Sequence, residues 1–135
     1  MKVFLDTNIV VDFCAKREPY FLDAAQIIDL GLKQKIQVAI SSLTIINVAY
    51  ILRKLFDKDV IINKLSELSK LCEVTPINSD IVNFAINQTS RDFEDTIQFY
   101  SALSVDVDII ITRDKKGFSD FSLPIMTPKE FVLSC

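Results

Sequence analysis

Short apolar runs alternate along the chain with segments whose apolar residues recur at helical spacing, and this alternation restricts the fold. The apolar runs that end at Leu5, Ile40 and Ile111 are each followed at once by a polar residue. Between the first two runs, residues 21–32 carry apolar side chains three and four positions apart, as one face of a helix does. Strands that alternate with helices favour a mostly parallel sheet covered by helices on both faces. The sequence therefore predicts the α/β class.

The same patterns predict the individual elements. Residues 127–130, Thr-Pro-Lys-Glu, resemble a capping box with proline at the first helical position and predict a final helix. The chain has 135 residues with neither linker nor repeat, so we expect a single domain over residues 1–135. Strands are predicted at 2–5, 36–40, 73–77, 108–112 and 123–126, and helices at 21–32, from Ser41 or Ser42 to about Phe56, at 60–71, from Asn78 or Ser79 through Ile86, and at 93–103.

The composition excludes several kinds of chemistry. The chain has no histidine, which removes the commonest general base and every Ser-His or Cys-His nucleophile pair. Its two glycines, Gly31 and Gly117, are too few for a glycine-rich phosphate loop. Three widely separated cysteines fit neither a disulfide framework nor zinc-ligand spacing. Any catalytic chemistry is therefore expected to come from carboxylates.

Charge and hydropathy bear on partners and location. The formal net charge is −3, so the overall field does not attract a polyanion and any nucleic-acid binding must be local. No apolar stretch is long enough to span a bilayer, and no basic leader precedes an apolar segment. We therefore expect a cytoplasmic protein that does not insert into a membrane.

Acidic residues follow two predicted strands and open the helix between them. Asp6 comes directly after the first strand, and Asp114 lies just beyond the strand that ends near Thr112. Asp92 and Asp95 stand at the start of the helix that leads into that later strand. Ligands of open parallel sheets bind outside the carboxyl ends of the strands. These acids are therefore predicted to meet at one edge of the sheet.

Carboxylates that converge without histidine suit a hard cation. Magnesium and manganese prefer oxygen ligands, and a bound cation could activate water and neutralise the charge on a scissile phosphate. Phosphodiester hydrolysis is the chemistry that such a site favours. Each acid also has a plain structural interpretation, because Asp6 and Asp92 are good helix caps and Asp114 suits a turn.

Three segments together resemble the signature regions of the PIN-domain family. They are VFLDTN at 3–8, DFEDTIQ at 92–98 and IITRDKKGF at 110–118, and their order and separation extend the resemblance over essentially the whole chain. The resemblance implies a three-layer α/β/α sandwich and RNA cleavage that depends on Mg²⁺ or Mn²⁺. For small prokaryotic members of the VapC-like type, it also implies a toxin that a partner antitoxin neutralises, and commonly a homodimer.

The resemblance assigns roles to particular residues. Asp6, Asp95 and Asp114 match the catalytic acids that hold the metal, while Asn8 and Thr112 match positions that orient ligands or water. Asn47 is a departure, because it stands where the family usually has a glutamate.

An amide in this place supplies an oxygen but no charge, so weaker metal binding is expected. Asn47 is still counted among the metal ligands. Asp92 and Glu94 are candidates to compensate. Asp92 is favoured because it lies three residues before Asp95 on the helix.

RNA binding also requires positive or aromatic side chains near the acids. Asn47 and Lys54 are two helical turns apart and are predicted to share a face with Tyr50. Lys54 or Arg53 would then contact backbone phosphate, and Tyr50 would stack on a base. Arg113 is the preferred phosphate contact beside Asp114, with Lys115 and Lys116 as further candidates. Any of these cations could instead be a solvated surface charge.

Three functions are compatible with the sequence. The leading hypothesis is a metal-dependent endoribonuclease of the toxin type. The second is a PIN-like module with weak or no activity that binds RNA or protein, which Asn47 and the acidic composition permit. The third is a phosphatase with an aspartyl nucleophile, which Asn8 disfavours because an amide cannot protonate the leaving group.

Overall fold

A computed structural model of the protein describes residues 1–88 and 91–135. In these residues five strands form one sheet in the order β3-β2-β1-β4-β5, and each neighbouring pair is parallel. The strands are β1 (Lys2–Leu5), β2 (Gln37–Ser41), β3 (Glu73–Thr75), β4 (Ile109–Ile111) and β5 (Ile125–Met126). The helices are α1 (Thr7–Cys14), α2 (Phe21–Leu32), α3 (Ser42–Leu52), α4 (Lys58–Leu71), α5 (Ser79–Ile86), α6 (Phe93–Leu103) and α7 (Pro128–Ser134), with a 3₁₀ helix at Lys115–Phe118.

Alternating side chains of the central strands divide the core between the two faces of the sheet. Val3 and Leu5 of β1 pack in the cluster to which α1, α2, α3, α4 and α7 contribute. Phe4, which points to the opposite face, packs with side chains of α6 and the 3₁₀ helix. Helices therefore cover both faces, and the predicted three-layer α/β/α sandwich is confirmed.

Most predicted elements are present within a few residues of their expected bounds, and the capping box at the start of α7 is formed. The predicted end of α3 was wrong, because the helix stops at Leu52 and not near Phe56. The amides of Leu55 and Phe56 both bond the carbonyl of Leu52, and this turn leads into α4. Within the described segments, none of the helices is long and apolar enough to cross a bilayer.

The strand order determines where the sheet can form a cleft. From β1 the chain continues to β2 on one side, whereas β4 lies on the other side of β1. The order therefore reverses between β1 and β4, and the loops after these two strands diverge at this point. Asp6 follows β1, and Asp114 follows β4 by three residues. These two acids therefore lie where a ligand cleft is expected.

Candidate active site

Asp6 is both a helix cap and a wall of the cleft. Its Oδ1 accepts a hydrogen bond from the amide of Thr7 at 2.8 Å and so caps α1. Its Oδ2 accepts from the hydroxyl of Thr112 at 2.8 Å, and the same hydroxyl accepts from the amide of Asp114 at 3.0 Å. Asp6 is 9% exposed, so this carboxylate is held in a fixed place below the surface.

A cleft of about 510 Å³ opens above Asp6 at the carboxyl end of the sheet. Within the described ranges, no three acidic or cysteine side chains converge closely enough to form a ready-made metal-binding cluster. The cleft thus collects the acids without packing them against each other. Its lining comprises Asp6, Thr7, Asn8, Asn47, Tyr50, Ile51, Asp92, Glu94, Asp95 and Asp114.

The pKa values of Asp6, Glu94 and Asp95 are raised by burial and by neighbouring carboxylates. The pKa of Asp95 is raised from 3.8 to about 7 by burial and then by the neighbouring carboxylates of Asp92, Asp6, Asp114 and Glu94. Burial also raises the pKa of Asp6, although its hydrogen bonds with Thr112 and Thr7 act in the opposite direction. The pKa of Glu94 is raised by burial and by Asp6 and Asp92. A cation in the cleft would relieve this repulsion.

Gly117 is a site residue whose role the sequence did not reveal. It lies in the 3₁₀ helix that follows Asp114, and a Cβ atom at this position would overlap Oδ2 of Asp95 and lie 3.1 Å from its Cγ. The absence of a side chain lets the carboxylate of Asp95 approach the backbone here. A glycine three residues after Asp114, in a chain with two glycines, was the available signal.

Comparison with known proteins identifies the family of the chain. The sequence profile of the PIN domain matches residues 2–116 of the chain. The chain belongs to the PIN-domain family. Ribonuclease VapC1 of Aquifex aeolicus (strain VF5) is 30% identical to it over 96% of this chain and 92% of the relative.

Solved structures share the fold of this PIN domain. A toxin–antitoxin complex from Klebsiella pneumoniae contains a chain with a TM-score of 0.70 and 23% identity, and the match covers 93% of this chain and 97% of that one. VapBC-1 from nontypeable Haemophilus influenzae also gives a TM-score of 0.70, at 19% identity, with 96% and 99% covered. VapC20 of Mycobacterium tuberculosis, described as a sarcin-ricin loop cleaving toxin, gives 0.70 at 13% identity, with 88% and 95% covered.

Asn47 of this PIN domain contacts a different acid from the one that the sequence favoured. Its Nδ2 donates to Oε1 of Glu94 at 2.9 Å, across the gap between α3 and α6. Asp92 is instead the cap of α6, and its Oδ1 accepts from the amide of Asp95 at 2.9 Å. Glu94, and not Asp92, is therefore the acid next to the amide at position 47.

A neutral, buried network forms the floor of the cleft beneath Asp6. Nε2 of Gln98 donates to the hydroxyls of Thr7 at 3.0 Å and Thr44 at 3.2 Å, and its Oε1 accepts from Ser41. The Thr7 and Thr44 hydroxyls also bond each other at 2.9 Å. The network, which was not anticipated from the sequence, joins the N-terminal ends of α1 and α3 to α6.

The predicted RNA-binding residues lie in two separate places. Tyr50 is exposed and lines the cleft, and the guanidinium of Arg53 lies 4.1 Å from the centre of its ring. Lys54 lies in the turn after α3, so the helical spacing that placed it on one face with Asn47 does not apply.

Arg113 does not line the acidic cleft, contrary to the position expected for a phosphate contact beside Asp114. Its Nε donates to Oδ2 of Asp12 at 2.9 Å, and its guanidinium covers the ring of Tyr20 at 3.9 Å. Lys115, another candidate, forms an ion pair with Glu130 at 3.1 Å.

Proposed function

We propose that this PIN domain is a metal-dependent endoribonuclease that hydrolyses RNA phosphodiester bonds and acts as the toxin of a toxin–antitoxin pair. The observation that carries the proposal is that Asp6, Asp95 and Asp114 all line one open cleft. The curated relative is named a ribonuclease, and solved structures of the same fold are toxin–antitoxin complexes. A homodimer and a cytoplasmic location remain predictions from the sequence.

The donor groups of the cleft fit a hard cation. All the candidate ligand atoms are carboxylate or amide oxygens, which Mg²⁺ and Mn²⁺ accept, and the mutual repulsion that raises the pKa of Asp95 is what a cation offsets. Asp6, Asp95 and Asp114 would hold the ion. A bound ion would supply an activated water and neutralise charge on the phosphate.

The remaining residues of the site hold ligands or substrate in place. Thr112 fixes the orientation of Asp6, and Asn8 lies exposed at the rim, where it can contact substrate or water. Tyr50 presents an aromatic face on which a base of single-stranded RNA can stack. Arg53, against that ring, places a positive charge within reach of the adjoining phosphate.

We infer that Glu94 supplies the carboxylate that Asn47 lacks. The hydrogen bond from Nδ2 of Asn47 fixes one oxygen of Glu94 and leaves the other free. The two residues would then do together what the usual glutamate does alone. Asp92 is less suited because its carboxylate bonds the start of α6 and not the amide of Asn47.

Cleavage of RNA by the purified protein tests the proposal. A pool of structured and single-stranded RNA is incubated with Mg²⁺, with Mn²⁺, or with chelator, alongside the variants Asp6→Asn and Asp95→Asn. We expect metal-dependent cleavage that falls by at least about a hundredfold in both variants, because each loses a ligand charge at the reacting centre. If the folded wild-type protein binds RNA but does not cleave it with either metal, it is instead a binding module, the role that the amide at position 47 permits.

Two further variants in the same assay separate Glu94 from Asp92. Glu94→Gln removes the charge next to Asn47, whereas Asp92→Asn removes a charge but keeps a good helix cap. We expect Glu94→Gln to raise the Mn²⁺ concentration needed for half-maximal cleavage by about tenfold. A larger rise with Asp92→Asn would return the compensating role to Asp92.

A further inference from the structure

Asp12 is a buried aspartate outside the cleft that two arginines hold. It lies on α1, and its side chain is completely buried. Arg113 binds it at two points, from Nε to Oδ2 at 2.9 Å and from Nη2 to Oδ1 at 3.3 Å. Arg17 binds it at one point, from Nε to Oδ1 at 2.9 Å.

The two arginines lie in different segments of the chain. Arg17 follows the end of α1, and its backbone amide bonds the carbonyl of Asp12. Arg113 stands between Thr112 and Asp114, in the segment that leaves β4 for the cleft. An ion pair made by Arg113 therefore restrains a segment of the candidate site, whereas the pair made by Arg17 restrains only the end of α1.

The Asp12–Arg113 pair is the second of two ties between α1 and the segment that carries Asp114. The first tie is the hydroxyl of Thr112, which bonds both Oδ2 of Asp6 and the amide of Asp114. Because Asp6 caps the start of α1 and Asp12 lies within the helix, the ties are more than a helical turn apart. Two separated ties fix the direction of a segment, whereas one lets it pivot.

We propose that Arg113 is a positioning residue that acts through Asp12 to hold Asp114 in register with Asp6 across the cleft. This inference rests on the proposed function, because it concerns where one candidate metal ligand stands. Arg113 does not contact substrate in this role. This positioning role replaces the RNA contact that the position of Arg113 in the sequence suggested.

The geometry calls for arginine in particular. A guanidinium matches both oxygens of a carboxylate and stacks on an aromatic ring, whereas a lysine ammonium is a point charge that does neither. Arg113 does both, with Asp12 at its edge and the ring of Tyr20 3.9 Å from its face. Its side chain is 27% exposed, against 41% for Arg17.

The test compares Arg113→Met with Arg17→Met as a matched control, since each removes one arginine from Asp12. Positioning is read first without metal, from the hydrogen exchange of the Asp114 amide by NMR. Thr112 protects this amide. We expect exchange to become at least about tenfold faster in Arg113→Met and to change by less than about twofold in Arg17→Met. Equal rates in the two variants would overturn the inference, and this holds whether or not the protein binds metal.

The second measurement is Mn²⁺ affinity by calorimetry, with cleavage kinetics beside it. We expect Arg113→Met to weaken Mn²⁺ binding by about tenfold while KM for RNA at saturating Mn²⁺ stays within about twofold. Arg113→Lys, which keeps the charge but not the two-point contact, should fall between the two. A raised KM with unchanged Mn²⁺ affinity would make Arg113 an RNA contact and sink the positioning role. Wild-type protein that neither binds Mn²⁺ nor cleaves RNA would instead contradict the proposed function.

Discussion

Helix α1 holds a buried aspartate at its start and another farther along, and the two have opposite surroundings. Asp12 is completely buried and lies between the guanidinium groups of Arg17 and Arg113. Asp6, at the cap, is 9% exposed, and within residues 1–88 and 91–135 it accepts hydrogen bonds only from neutral groups. The charge that acts on its pKa is that of another acid, Asp114, which raises it. The negative charge of Asp12 is thus compensated by two arginines of the fold. The negative charge of Asp6 is compensated by neither of its hydrogen-bond donors and is open to a cation that enters the cleft.

Asp12 therefore serves the stability of the fold, whereas Asp6, on the same helix, is placed for the proposed function. A buried carboxylate with its counter-ions in place becomes costly to lose, because the remaining charges are then unpaired. A buried carboxylate without a counter-ion is itself a cost to the fold, and the raised pKa of Asp6 expresses that cost. We therefore expect substitutions at the two positions to have opposite effects on the metal-free protein.

Asp12→Asn should give the largest effect on stability. It removes the charge between two arginines, and we expect a loss of about 3 kcal/mol in the free energy of unfolding, measured with urea. Asp6→Asn in the absence of metal should leave stability unchanged or raise it slightly. Asp29→Asn is the control, because Asp29 pairs with Lys33 on the surface and should cost less than about 0.5 kcal/mol. Similar losses at Asp12 and Asp6 would remove the contrast between them.

Gly117→Ala should sharpen the contrast, because it disturbs the acidic cleft that contains Asp6 and leaves the surroundings of Asp12 intact. The added Cβ displaces the carboxylate of Asp95, a side chain that can rotate away, so we expect the fold to survive with a small change in Tm. Mn²⁺ binding should weaken by about tenfold or more, because one proposed ligand is displaced.

Gly31→Ala is the matched control for this substitution. Its Cβ would meet Cγ2 of Val38 at 2.9 Å, inside the core and away from the acids. Gly31→Ala should therefore change Tm and leave Mn²⁺ affinity alone. The reverse outcome, with Gly117→Ala binding Mn²⁺ normally, would remove Asp95 from the candidate ligands.

The pH dependence of stability should show the smallest effect. In the metal-free fold the pKa of Asp95 is raised from 3.8 to about 7, so between these values the folded state keeps a proton that the unfolded state releases. This contribution favours the fold at low pH and is lost as the pH rises towards 7. Solvent screens the half-buried group and limits the size of the effect.

Thermal unfolding of the metal-free protein at pH 5, 6 and 7 measures this pH dependence. We expect the difference in Tm between Asp95→Asn and the wild type to grow in favour of the variant as the pH rises. With saturating Mn²⁺ the wild type should become the more stable protein at pH 7. A constant difference across this range would mean that Asp95 ionises as an ordinary surface acid does.

The sequence was sufficient where a local pattern or a rule of sheet topology decides the outcome. The bounds of β1, α2 and α6 follow from apolar spacing and caps, and the acids meet because parallel strands end at the same edge. It failed at the end of α3, where Leu55 keeps helical spacing although the chain has already turned.

The site details that were missed depend on contacts between distant residues. Asn47 on α3 donates a hydrogen bond to Glu94 on α6, and Arg113 donates to Asp12, which lies 101 residues earlier in the chain. Such pairs carry no local signal, because the two partners lie far apart in the sequence and their contact depends on how the elements pack. The clearance that Gly117 gives to Asp95 is likewise a property of the packed structure only.

The network of Gln98, Thr7, Thr44 and Ser41 under the cleft has one property that the acids above it lack. Neither its hydroxyl nor its amide groups gain or lose a proton at any pH at which a protein works. If the cleft binds a cation as proposed, the acids would exchange protons for that cation while the atoms beneath them keep the same charge and the same hydrogen bonds. The protonation state of the acids could then change repeatedly without loosening the bonds that join the starts of α1 and α3 to the middle of α6.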